Sequence, residues 1–329
     1  MATVTGTVTV PLSQGVREDL ASTITMLSPD ETPLFSNARK TKAKAINHEW
    51  QTDVLDTPAT NSRLEGDTIT VSTAVSTTRL GNILQISERD YGVSGTLQSV
   101  NLAGREDELM RLRMKKGLEL RRDMEVVLHS NQAKRADSGS TARLLGGLPT
   151  WITNVTGVSS AVSVAPATGD GASAVGTFSA STALTYDYLA SAHQMAFEDG
   201  GAPSILEVPP ALKRRFSQLA FSASPSTADV RYEAKPNSPA VAIGSVDKWL
   251  SDFGTVDVVV NRQLAIQSST FLKQAAFLID TSHVSVAMLR NFEVNKLAKT
   301  GDASAEFVVS EYTLAPDAPN AHAAVYGMT

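Results

Sequence analysis

Period-two alternation of apolar and polar residues first appears between Lys44 and Leu55. Ile46, His48, Trp50, Thr52 and Val54 share one face, and Asn47, Glu49, Gln51 and Asp53 share the other. Residues 56–67 are turn chemistry, with Pro58, Asn61, Gly66 and Asp67. A second alternating run follows, with Ile69, Val71, Thr73 and Val75 on one face. The spacing predicts a β-hairpin with a long tip, whose chain returns to the main body through Ile83, Leu84, Gln85 and Ile86. A lone two-stranded hairpin is marginal in water, so this one needs a neighbour to lie on.

The pattern changes to helical period in residues 101–135, which contain no proline and are rich in Leu, Met, Arg, Lys and Glu. Glu106, Asp107 and Glu108 suit the positive end of the helix dipole. Met110, Met114 and Leu118 form one stripe, which Leu120, Met124, Val127 and Leu128 continue. The predicted helix is about 50 Å long at about 1.5 Å per residue. Of the 21 residues 105–125, 13 are charged. That mixture describes a rod with solvated sides and a narrow packed stripe.

Upstream, Leu20, Ile24 and Leu27 fit a short helical piece, which Pro29 and Pro33 terminate. Residues 1–40 otherwise read as an arm that something else must tie down. Residues 154–183 are small and polar and predict a long mobile loop. Helices are expected near Tyr188–Ala196 and Ala211–Phe221. Strands are expected at Ile205–Val208, Val256–Val260, Ala275–Asp280, Val284–Leu289 and Ala305–Leu314. The fold class is therefore α+β.

Composition narrows the chemistry. The 329 residues suffice for about two domains. A net charge of −5 argues against a nucleic-acid groove as the main feature. Absence of cysteine excludes a disulfide scaffold, thiolate metal ligands and a cysteine nucleophile, and fits synthesis in a reducing cytosol. No run of about 18 apolar residues is present, and the start lacks a signal-peptide pattern, so no membrane association is expected. None of the five histidines lies three or four residues from another. His48-Glu49 begins like a zinc-peptidase motif, but Thr52 stands where the second histidine belongs. No nucleophile elbow, dinucleotide fingerprint or P-loop occurs. Asp302, Glu306 and Glu311 read as solvated strand edges rather than an acidic cluster. No catalytic residue, cofactor site or metal site is assigned.

Several phrases carry a resemblance. Arg17-Glu18-Asp19-Leu20, Ser28-Pro29-Asp30-Glu31-Thr32-Pro33-Leu34, His48-Glu49-Trp50-Gln51-Thr52-Asp53 and Thr78-Arg79-Leu80-Gly81-Asn82 lie in the first quarter of the chain. Leu120-Arg121-Arg122-Asp123-Met124-Glu125, Gly146-Gly147-Leu148, Asp252-Phe253-Gly254 and Glu311-Tyr312-Thr313-Leu314 continue to near its end. With the order of parts, they make the chain resemble major capsid proteins of tailed bacteriophages, with the Hong Kong 97-type fold. The resemblance implies an N-terminal arm at 1–40, an extended β-hairpin loop at 41–90, and a peripheral domain at 91–184 with a spine helix over about 101–135. It implies an axial domain at 185–285 and C-terminal strands at 286–329 returning to the peripheral domain. No coiled-coil segment precedes the arm, which implies a separate scaffolding protein or none.

The implied function is a shell protein of the virion, made and assembled in the host cytoplasm. It would form pentamers and hexamers of an icosahedral head around dsDNA, without sequence-specific DNA recognition. Portal, scaffolding and decoration proteins are the further partners the resemblance suggests. Leu20, Ile24, Leu27, Phe35, Ile46, Trp50, Val54, Ile69 and Val71 are the expected inter-subunit contacts. Burying each large apolar side chain is worth about 1.5–3 kcal/mol, and a projecting ribbon cannot cover them all on itself. The alternatives are an encapsulin-like compartment on the same fold and, less favoured, an uncharacterised hydrolase.

Overall fold

The protein is described here from a computed structural model covering residues 28–69, 71, 76–100, 107–157, 167–176, 182–221, 232–233, 241–242, 246–266, 270–299 and 301–329. The helical piece expected around Leu20, Ile24 and Leu27 lies outside these residues.

The described chain opens with helix α1 (Pro33–Asn37), where Pro33 occupies the first helical turn and its fixed φ suits the start. Strand β1 (Arg39–Lys42) follows, then β2 (Asn47–Thr52), β3 (Thr78–Ile83) and β4 (Gln85–Ser94). After α2 (Gly95–Ser99) comes the long helix α3 (Glu108–His129). Beyond it lie β5 (Asn154–Thr156), α4 (Tyr186–Glu198), β6 (Ile205–Val208) and α5 (Pro210–Phe221). The remainder comprises β7 (Tyr232–Glu233), β8 (Val241–Ala242), β9 (Lys248–Ser251), β10 (Gly254–Val260), α6 (Arg262–Ile266), α7 (Thr270–Lys273), β11 (Ala276–Ile279), β12 (Val284–Lys296), β13 (Ala303–Pro316) and β14 (Ala323–Val325).

Two sheets organise the body. One has the order β1-β12-β13-β4, and the other β5-β14-β11-β6-β10-β9. β13 joins β12 and β4 antiparallel through long ladders, whereas β1 adds to β12 in parallel. The last strand, β14, sits between β5 and β11, so the end of the chain is built into the six-stranded sheet. The main core holds Val284, Val286, Tyr312 and Leu314 of the first sheet, Phe277 and Ile279 of the second, and Met124 and Leu128 of α3. The alternate residues Ala276 and Leu278 join a second core with Leu206, Val208, Val256, Leu189 and Phe216. Period-two strands thus bury both faces of the six-stranded sheet.

Helix α3 is 22 residues long, about 33 Å at about 1.5 Å per residue. Its expected start before Asp107 falls outside the described residues. Asp107 is the N-cap, its carboxylate accepting from the backbone N–H groups of Leu109 and Met110 at 2.8 and 3.2 Å. The expected continuation to residue 135 is corrected, because the helix ends at His129. Tertiary hydrogen bonds claim the next residues. Asn131 exchanges two bonds with the Val175 backbone, Gln132 reaches Gln85 and Leu145, and Lys134 reaches Gly81 and Asp170.

The stripe expected along α3 is also divided. Leu120, Met124 and Leu128 are fully buried, but Met110 and Met114 are 59% and 69% exposed. Nor is 167–176 a free loop: Ala167 and Val175 are buried, and Gly171 accepts a bond from Lys134.

Candidate assembly surface

The hairpin expected from the sequence exists with a different second strand. β2 pairs antiparallel with β3 in the register His48↔Asn82 and Trp50↔Leu80. Ile69 and Val71 are outside any strand, and residues 72–75 are not described. Burial along β2 alternates as predicted, with His48, Trp50 and Thr52 half-buried and Asn47, Glu49 and Gln51 exposed. His48 and Glu49 therefore point to opposite sides, and Glu49 pairs instead with Arg79. They offer no shared ligand site.

At the root, Trp50 packs against Trp151 with ring centroids 5.3 Å apart and the rings tilted by 41°. Towards the tip, Val54, Leu55, Leu64, Ile69 and Val71 are all exposed, Leu55 at 95%. Ile46 is 55% exposed at the near end. Phe35 differs: it is buried in the main core and meets Phe292 edge-on, which leaves little of it for a sister chain to cover. Of the nine residues expected as contacts, Ile46, Val54, Ile69 and Val71 present apolar surface. Trp50 is divided between ribbon and body, and Leu20, Ile24 and Leu27 lie outside the described residues.

Composition missed two further exposed rows. Met110, Met114 and Leu118 run along the outer side of α3, and Phe292, Val294 and Leu297 flank the β12–β13 turn. Their spacing was legible, but not the side that faces out.

Ion pairs hold this surface on its frame. Arg113 grips the buried Glu306 carboxylate at 2.7 Å, and the Tyr91 hydroxyl donates to it at 2.8 Å. Burial pushes Glu306 up, but the Arg113 fork and Tyr91 outweigh it and hold the group below its ordinary value. Glu311 is buried between Arg143 and Arg290. The reading of Glu306 and Glu311 as solvated strand edges is thus corrected: each is the buried partner of arginine. Of the basic run after α1, Arg39 pairs with Asp317, and Lys40 lies 4.0 Å over the Phe35 ring.

A buried charge network ties the start of the described chain to α3 and the six-stranded sheet. The Glu125 carboxylate accepts from the backbone N–H groups of Leu34 and Phe35 at 3.0 and 2.8 Å, and from Asn261 Nδ2 at 2.8 Å. Asn261 also donates to Glu207. His129 lies with Nε2 3.3 Å from Glu207 and Nδ1 2.9 Å from the Glu125 carbonyl oxygen. Burial disfavours the imidazolium, but Glu207 and Glu125 outweigh it and raise His129 to about 9. Burial, then Glu207, raise Glu125 to about 7.

Glu125, His129 and Glu207 bring potential metal-ligand atoms within 4.8 Å of one another. Both Glu125 oxygens already accept N–H groups, so the arrangement is a closed network rather than an open ligand set. The sequence carried a signal for it, a Glu and a His four apart, each directly after a residue of the apolar stripe, Met124 and Leu128, although no second histidine stands nearby.

Two packed sheets, a long helix docked by ion pairs and a ribbon with an exposed apolar tip compose a fold of the capsid type. Solved chains share this fold. One from Mycobacterium phage Ogopogo matches with TM-score 0.60 at 11% identity, covering 94% of this chain and 96% of its own. One from the capsid of the native GTA particle gives 0.62 at 10% identity, covering 97% and 98%. The Hong Kong 97-type architecture expected from the sequence is borne out by these matches. The chain belongs to the SU10 major capsid protein family, whose sequence profile matches residues 3–329. A curated major capsid protein of Escherichia phage Phieco32 is 34% identical over 121 residues, 36% of this chain and 34% of that protein. The alignment therefore spans about a third of that relative.

Proposed function

We propose that this chain is the major capsid protein of a tailed bacteriophage, whose copies join as pentamers and hexamers into an icosahedral head around dsDNA. It acts by packing rather than by catalysis. The observation that carries this reading is the ribbon tip, where Val54, Leu55, Leu64, Ile69 and Val71 each expose an apolar side chain. Exposed apolar rows of this kind mark association surfaces. Met110, Met114 and Leu118 offer a second row on the same chain. A tip of one copy on the row of another is a heterologous contact, and such contacts close into rings when the rotation permits.

The net charge of −5 favours a lining that holds packaged DNA loosely. Portal, scaffolding and decoration proteins are the further partners of this reading, with assembly in the host cytoplasm and residence in the virion. No described helix is long and apolar enough to cross a membrane.

Negative-stain microscopy of the purified protein tests the proposal, with Val54→Asp/Leu55→Asp as the comparison. Closed shells are expected from the wild type, and unassembled chains of unchanged melting temperature from the variant. A wild type that stays monomeric at high concentration, or a variant that builds normal shells, overturns it. Shells filled with protein cargo instead of DNA point to the encapsulin-like alternative.

A further inference from the structure

The ribbon leaves the body through an unusually well-bonded root. Asn82 is fully buried in β3, on the last turns of the ladder before β4. Its side-chain Nδ2 donates to the carbonyl oxygens of Gly146 and Leu314 at 3.0 and 2.8 Å. Its Oδ1 accepts the Gly146 N–H at 2.8 Å and the Ile83 N–H at 2.9 Å. One amide thus fills all four of its hydrogen-bonding positions with backbone groups, three of them from the body. Aspartate offers no donor for the two carbonyls, and leucine offers neither donor nor acceptor.

The same segment holds the other strand. Gly146 O also accepts from Trp151 Nε1 at 3.2 Å, and Trp151 packs against the ring of Trp50 from β2. Lys134 bridges Gly81 O and Asp170 O at 2.8 and 2.6 Å, closing the root from a third side. The loop making this platform packs closely on the end of α3 at Gly147, where a Cβ would stand 1.9 Å from Ser130 O. Both ribbon strands are therefore referenced to one densely bonded stretch, residues 146–151.

From this geometry we infer that Asn82 is a positioning residue for assembly: its bonds to Gly146 and Leu314 fix the angle at which the ribbon leaves the body. The inference rests on the shell-forming reading above. Leverage explains why a buried amide should matter to a distant contact. Leu55 is seven residues beyond His48, the partner of Asn82, so up to about 23 Å separates root from tip at about 3.3 Å per residue. A turn of about 10° at the root moves the tip by about 4 Å, close to one interstrand spacing. That is enough to displace an apolar tip from its seat on a sister chain.

The test compares Asn82→Asp and Asn82→Leu with Val308→Ala, a core substitution away from the root chosen to lower the melting temperature similarly. Hydrogen exchange on the unassembled chain reads the ribbon. The Asn82 variants are expected to lose about tenfold or more protection in β2–β3 while β12–β13 keeps its own, and Val308→Ala to leave β2–β3 as in the wild type. Microscopy reads the consequence, with Asn82 variants giving shells of scattered diameter or open sheets and Val308→Ala giving uniform shells. Unchanged β2–β3 protection, uniform shells from the Asn82 variants, or equal scatter from Val308→Ala overturns the inference. A wild type that forms no shells defeats the shell-forming reading instead, and the exchange measurement then still decides whether Asn82 holds the ribbon.

Discussion

At the residue scale, the His129–Glu207–Glu125 network sets a pH dependence with a definite sign. His129 is raised from 6.5 to about 9, so between those values the folded chain holds a proton that the unfolded chain has released. Stability contributed by the imidazolium is complete below about 6.5 and is lost as pH rises through about 9. Glu125, raised to about 7, adds a loss in the same direction at lower pH. His322 runs the other way: burial pushes it down to about 4, so its contribution is lost on acidification between 6.5 and 4. The window from pH 7 to 9.5 therefore carries the His129 loss together with the last of the Glu125 loss. Melting temperature is expected to fall across it in the wild type, and the slope to flatten in Glu207→Gln, where the imidazole loses its main partner. A flat wild-type profile from pH 7 to 9.5 would falsify the assignment of a buried imidazolium.

At the element scale, α3 is not held by its apolar stripe alone. Leu120 packs with Tyr91 and Val308, while Arg113–Glu306 and Arg89–Asp123 tie the helix to β13 and β4. Glu306 is the member with most to lose, being buried while Arg113 keeps contact with solvent. Glu306→Ala removes the acceptor of both Arg113 and Tyr91, and a loss of about 3 kcal/mol is expected, read from urea denaturation. Glu306→Gln should recover part of it, since an amide oxygen still accepts from Tyr91.

This scale also shows where periodicity reached its limit. β6 at Ile205–Val208 and α5 at Pro210–Phe221 fall where the apolar spacing put them. The partner of β2 did not, because Ile69, Val71, Thr73 and Val75 alternate strictly, whereas the apolar Leu80 and Ile83 of 78–83 fall on opposite faces. Asn82 marks 78–83 as the strand that meets the body, donating to the carbonyl oxygens of Gly146 and Leu314.

At the scale of the whole molecule, the ribbon and the body have opposite characters. The body buries Trp151, Tyr312, Tyr326 and Phe277 completely, whereas the tip leaves Leu55 and Val71 almost wholly in water. Arg63 lies in that exposed tip. Trypsin is expected to cut the unassembled chain first after Arg63, leaving the body intact, and assembly should slow that cut strongly. Equal cleavage rates before and after assembly, followed by gel electrophoresis and mass spectrometry, would count against burial of the tip between copies.

The sequence by itself determined the local elements, the α+β class and the incompleteness of the ribbon, because these follow from nearest-neighbour periodicity and from apolar residues with no local partner. It also carried the family resemblance, since the phrases that bear it are local. Tertiary structure alone decided which face of α3 is covered, where that helix stops, and which carboxylates are dry. Glu306 and Glu311 look like any strand acids in sequence, and Glu125 like any helix acid. Their partners lie 193, 168 and 136 residues away in Arg113, Arg143 and Asn261. Pairing at such separation is set by how sheets and helices pack, and no window along the chain contains it.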